Sequence, residues 1–104
     1  MGFRLGEIAE KTEHGIINGS RQEIACDCYF SCTGKSIPRW IRIRDKVSDE
    51  IYTIHEIELL STDKKRYCGI DTVEHICRVT VGDTKHLVKL IYTKESCKWE
   101  LIGI

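Results

Sequence analysis

Proline occurs once, at position 38, and no Pro-rich linker is present. An excess of charge of either sign is missing as well: sixteen Lys and Arg residues balance sixteen Asp and Glu residues. The chain as a whole therefore has no pull on nucleic acid or on an anionic membrane, and any such role has to come from a local patch. Long apolar runs are also missing. Residues 1–15, MGFRLGEIAEKTEHG, carry no apolar stretch of the signal-peptide kind, and no segment reaches the roughly 20 residues of a membrane-spanning helix. The expected location is the cytosol, with no membrane partner. Met1-Gly2 opens like a myristoylation site, but Gly6 stands where a small hydroxyl residue is needed.

What is present is ordinary globular material. Hydrophobic residues make up 41% and charged residues 31% of 104 positions, which argues against disorder and suits one domain over residues 1–104. A chain of this size buries roughly 60 to 70% of the surface it exposes unfolded, so one core is expected and no second. Six cysteines in so short a chain would form a disulfide framework in a secreted protein; in the cytosol they read as thiols.

The strongest folding signal lies in residues 76–102, which read as three antiparallel strands. Cys77, Val79 and Val81 alternate with Arg78 and Thr80, then His86, Val88, Leu90 and Tyr92 share a side, then Cys97, Trp99 and Leu101 do. A loop of Gly82 and Asp83, or one of residues 82–85, keeps the first two faces in agreement. A turn around Lys94 and Glu95 would set Leu90 opposite Trp99 and Lys89 opposite Glu100. On the other face Ile76, Leu87, Ile91 and Ile102 form a surface too apolar for full solvation, so a cover is expected, either an N-terminal helix or a second copy of the chain.

Upstream, Leu5, Ile8, Ala9 and Thr12 follow helical spacing, with Gly15 as terminator, and Asn18-Gly19 marks a tight turn. The helix and arm occupy residues 1–15, the β core residues 23–104. Ile24, Cys26, Cys28, Phe30 and Cys32 alternate along one strand, residues 33–36 turn, and residues 39–45 alternate again. Residues 50–60, EIYTIHEIELL, space their isoleucines by three but are rich in β-branched residues, and the reading is one strand with a helix as alternative. The fold expected is mainly β, bordering on α+β: a small, twisted antiparallel sheet or partly open barrel of about six strands with one short N-terminal helix.

Four constellations have the residue types of chemistry. The cysteines at 26, 28 and 32 sit on a strand, whereas zinc knuckles place two thiols on a bend, so no metal is expected and burial explains them better. Thr33-Gly34-Lys35-Ser36 ends like a phosphate-binding loop, but Tyr29 stands where the leading glycine belongs and Pro38 blocks the following helix. His75 and Cys77 share a strand face, but no orienting third group or oxyanion feature accompanies them, so no catalytic residue is assigned. Trp40, Arg42 and Arg44 point from one side of a strand, flanked by Arg39, Lys35 and Lys46. An aromatic residue among arginines suits a protein hot spot or a base-stacking platform. The expectation is a non-enzymatic interaction module without cofactor, monomeric or weakly dimeric, meeting a protein partner or itself through Trp40, Arg42, Arg44 and Arg39. A small nucleic-acid-binding β domain is the alternative, and a thiol or metal site a remote one.

Overall fold

A computed structural model describes residues 17, 19–46 and 48–104 of the chain. The described residues form seven strands: β1 (Gln22–Phe30), β2 (Ser36–Arg44), β3 (Ile51–Ile54), β4 (Ile57–Tyr67), β5 (Ile70–Val81), β6 (Thr84–Thr93) and β7 (Lys98–Gly103). They make one sheet in the order β3-β2-β1-β7-β6-β5-β4, every neighbouring pair antiparallel. The sheet curls until β2 and β3 approach β4 and β5, giving a half-barrel whose concave side holds the core. The helix expected in residues 1–15, and its suggested role as cover for the outer face, lie outside the described residues. Among those described, no helix is long and apolar enough to cross a membrane.

β5 is the most regular piece. It shows the alternation of Cys77, Val79 and Val81 expected from the residues, and the strand extends upstream to Ile70. From Val73 to Val81 every second side chain is buried, and Cys77, Val79, Val88, Leu90 and Leu101 are fully enclosed with Ile41 and Ile43 from β2. Val81 pairs with Thr84, so Gly82 and Asp83 alone make the turn, with Gly82 at φ +62°. Such a two-residue hairpin turn twists with its strands only if the backbone enters the left-handed region, which glycine does without steric cost.

The second turn differs from expectation. Thr93 pairs with Lys98, so four residues, 94–97, close it and Cys97 takes the left-handed conformation. Lys94-Glu95 lacks the Gly or Asn that a two-residue turn needs, and the longer connection relieves that demand. The register therefore shifts by two: Leu90 faces Leu101, Tyr92 faces Trp99, and Lys89 faces Ile102 instead of Glu100. A shift of two leaves each side chain on its expected face. The charge pairing changes. Lys89 joins Lys65 on Glu74, at 3.4 and 3.2 Å, while Glu100 meets Arg21 at 3.3 Å. On that outer face Ile91 is 3% exposed and Leu87 43%.

Residues 50–60 are two strands, which brings the count to seven instead of six. Alternation slips by one residue between Ile54 and Ile57, and that slip is what an isoleucine spacing of three encodes. His55 and Glu56 form a corner, both isoleucines reach the core, and the chain passes from one edge of the sheet to the other. The corner is tied down by Thr80 N–H donating to the Glu56 carbonyl at 3.0 Å. A further correction concerns the cysteines. Cys77 is buried and Cys26 and Cys28 are half-buried, but Cys32 and Cys97, expected inside, are exposed together with Cys68. Cys32 follows the end of β1 and Cys97 lies in the four-residue turn, so neither is carried by the strand alternation that would have turned it inward.

Candidate functional site

β2 carries Arg39, Trp40, Arg42 and Arg44, and the way it pairs with β1 sets their direction. Asp27 pairs with Trp40 but Cys28 pairs with Pro38, leaving Arg39 as the extra residue of a bulge. Strict alternation would have turned Arg39 inward with Ile41 and Ile43. The bulge resets the alternation, so Ser36, Pro38, Ile41 and Ile43 are buried while Arg39, Trp40, Arg42 and Arg44 all lie on the outer side.

The charges of this face are largely matched. Arg39 donates to Asp27 at 2.7 Å, and Arg44 approaches Asp49 at 3.5 Å. Arg42 instead lies over the Trp40 ring, 5.1 Å from its centroid, a contact worth about 0.5 to 1 kcal/mol at an exposed site. The His55 ring stands 6.1 Å from Trp40, bringing the corner residue to the same place. Beside them Ile51, 58% exposed, belongs to β3, which among the described residues is an edge strand paired with β2 alone. Glu23, Ala25, Arg42, Arg44 and Ile51 help to line a shallow depression of about 270 Å³ there.

The other constellations resolve differently. His75 does not serve Cys77. Its Nδ1 lies 3.3 Å from the Leu90 carbonyl, which can only accept, so Nδ1 carries the proton and Nε2 accepts from the Ser36 hydroxyl at 2.7 Å. Burial lowers the imidazole's affinity for a proton, outweighing the Leu90 and Ser36 backbone carbonyls that act to raise it, and the ring lies tilted against Trp99, centroids 5.4 Å apart. Burial likewise pushes the Cys77 thiol up to about 12, and the Cys26 thiol to about 12 with help from Cys28, Cys77 and Asp27. A thiol held this far above neutral is a poor nucleophile. Among the described residues, no three His, Cys, Asp or Glu side chains are grouped as metal ligands.

A second site was not legible in the sequence. β3 covers β2 only from Ile41 to Arg44, so the Ser36 end of β2 has no strand on that side among the described residues. Opposite stands β4, the other edge. Between them opens a cavity of about 650 Å³, walled by Phe30, Ile37, Leu59, Val73 and Tyr92, with Lys35, Lys64 and Lys94 around it. The Thr33 to Ser36 turn, which has the wrong context for a nucleotide loop, forms one wall. It is held by Gly34 N–H and Lys35 N–H donating to the Ser31 carbonyl and hydroxyl, both at 3.0 Å, with Gly34 at φ +90°. Lys35 was the visible signal, but its two companions lie about thirty and sixty positions downstream, where nothing local marks them.

Comparison with known proteins finds no matching family, no matching curated protein and no matching solved structure, so function has to be argued from this geometry.

Proposed function

We propose that the chain is a non-enzymatic interaction module that meets a protein partner, or a second copy of itself, through Trp40, Arg42, Arg44 and Arg39. The observation that carries this reading is the Arg42 guanidinium lying over Trp40 between two arginines already matched to carboxylates. Trp and Arg dominate protein hot spots because they combine a large contact area with directional donors. Matched charge counts against the nucleic-acid alternative, since a groove that tracks phosphates needs cations left for them. The edge strand β3, with Ile51 exposed beside the arginines, offers backbone groups that no strand among the described residues pairs, to which an extended segment of a partner can add. A cytosolic setting is part of the proposal.

The test uses tagged intact protein and a Trp40→Ala, Arg42→Ala variant, with capture from the native cell followed by titration of the purified partner. The expected result is a partner bound by the parent chain and lost, by at least about tenfold in Kd, from the variant. Fluorescence anisotropy with a single-stranded oligonucleotide supplies the opposing result. Saturable binding that weakens steeply with salt would transfer this face to nucleic acid.

A further inference from the structure

We infer that the open seam between β2 and β4 is a binding site for a small single-chain amphiphile, an apolar tail with a carboxylate or phosphate head. At about 650 Å³ the cavity falls in the range of roughly 300 to 1,000 Å³ that small-molecule sites occupy. Its walls are apolar side chains from five strands, and two of them are oddly wet: Phe30 is 56% exposed and Ile37 40%. Phe30 is propped against Tyr92, ring centroids 5.7 Å apart, so the aromatic wall is preformed. Covering these residues with a tail removes apolar surface from water, which is the favourable term such a ligand supplies.

The head group follows from charge. Lys35, Lys64 and Lys94 line the cavity, and among the described residues no Asp or Glu does. In a chain with sixteen acids for sixteen bases, three ammonium groups without a carboxylate among the described residues stand apart from Lys65, Lys89 and Lys98, each of which has one. They come from three separate segments, the β1–β2 turn, β4 and the β6–β7 turn, so only the folded chain assembles them. Deeper in, the Ser36 hydroxyl is committed to His75 and presents no charge to the tail. An anion at the lysines with its chain directed toward Val73 satisfies both halves of the site.

The test titrates the intact protein by calorimetry with dodecanoate, dodecyl phosphate and dodecanol, all as monomers in solution, and with vesicles of phosphatidylserine and phosphatidylcholine. Dodecanoate or dodecyl phosphate should bind once per chain, and the tighter of the two identifies the head. Dodecanol should bind roughly tenfold or more weakly, because it cannot engage the lysines as an ion. Lys35→Gln, Lys64→Gln and Lys94→Gln together should cost a similar factor, and Ile37→Trp, which narrows the seam without removing charge, should abolish binding with the melting temperature kept. Trp40→Ala with Arg42→Ala should leave the affinity unchanged, so this site and the β2 face stand or fall separately. Absence of saturable binding by both anions, equal binding of dodecanol, indifference to both the lysine and the Ile37 changes, or binding to vesicles alone would each overturn the proposal.

Discussion

The β5–β6–β7 meander and the β2–β4 seam are made of the same residue types, yet one closes a core and the other leaves it open. In the meander, the pairing register runs without a bulge, each strand is paired along most of its length, and Cys77, Val79, Val88, Leu90 and Leu101 are fully enclosed. Around the seam, alternation fails three times: at Arg39, at the His55–Glu56 corner, and at a second bulge beside Leu60 where β4 slips against β5. Each failure re-aims side chains that strict pairing would have committed to core or solvent. Both candidate sites lie where it happens. The regular part of the sheet supplies stability, and the irregular part supplies surfaces with something left to bind.

The sharpest way to break this contrast is to remove a side chain from each region and compare. Leu90→Ala and Leu101→Ala empty fully enclosed positions of the meander and should each cost about 2 to 5 kcal/mol by denaturant unfolding. Ile37→Ala at the seam removes a chain already 40% exposed and should cost well under half of that. Equal losses would mean that the seam is as tightly packed as the core.

A smaller effect separates the regions by pH. His75 joins them, bonded to Ser36 of β2 and to the Leu90 carbonyl of β6. Burial holds its imidazole below the ordinary value of 6.5, so on acidification the unfolded chain takes up the proton first. Stability should therefore fall as pH drops below about 6.5 toward the folded-state value. On the alkaline side Cys26 and Cys77, raised from 9.0 to about 12, stay neutral in the fold while the unfolded thiols ionise, so stability should fall again from about pH 9 toward 12. Melting temperature against pH checks both limbs. A rise between pH 6.5 and 5 would contradict a neutral, enclosed His75.

Ion pairs should matter less. Glu74 is partly enclosed and takes both Lys65 and Lys89; burial alone would raise its carboxyl, but the two lysines hold it below the usual range. Glu74→Gln should cost about 1 kcal/mol, the upper end for surface pairs, and chemical denaturation measures it directly. Replacing Arg42 and Arg44 together by alanine should change stability by no more than about 0.5 kcal/mol per site. A large loss there would mean that the outer face of β2 is packed inside the molecule and is not a binding surface.

How far the residues could be read depends on the range of the interaction. Cys77, Val79, Val81, Val88, Leu90, Trp99 and Leu101 announce their faces through alternation, and Gly82-Asp83 announces its turn. Trp40, Arg42 and Arg44 share a side for the same reason. Arg39 joins them only because Pro38 and Trp40 take successive partners on β1, a fact of pairing. The isoleucine spacing in residues 50–60 was visible, but a corner and a helix produce the same pattern locally. The exposed positions of Cys32 and Cys97 depended on where β1 ends and where β7 begins.

Side-chain period is a local property of the backbone, because consecutive residues of a strand must point to opposite faces. The sequence by itself therefore determined a mainly β chain, the inner faces of β5, β6 and β7, and a surface row of tryptophan and arginine. Register is a contest between turn geometry and pairing over long stretches of chain, so the four-residue turn before β7 and the bulges were decided only in the folded sheet. The cavity depends on more distant relations still. It exists because β3 stops short of the Ser36 end of β2 while β4 comes round from the other edge, bringing Lys64 and Lys94 to Lys35 across gaps that no local pattern spans.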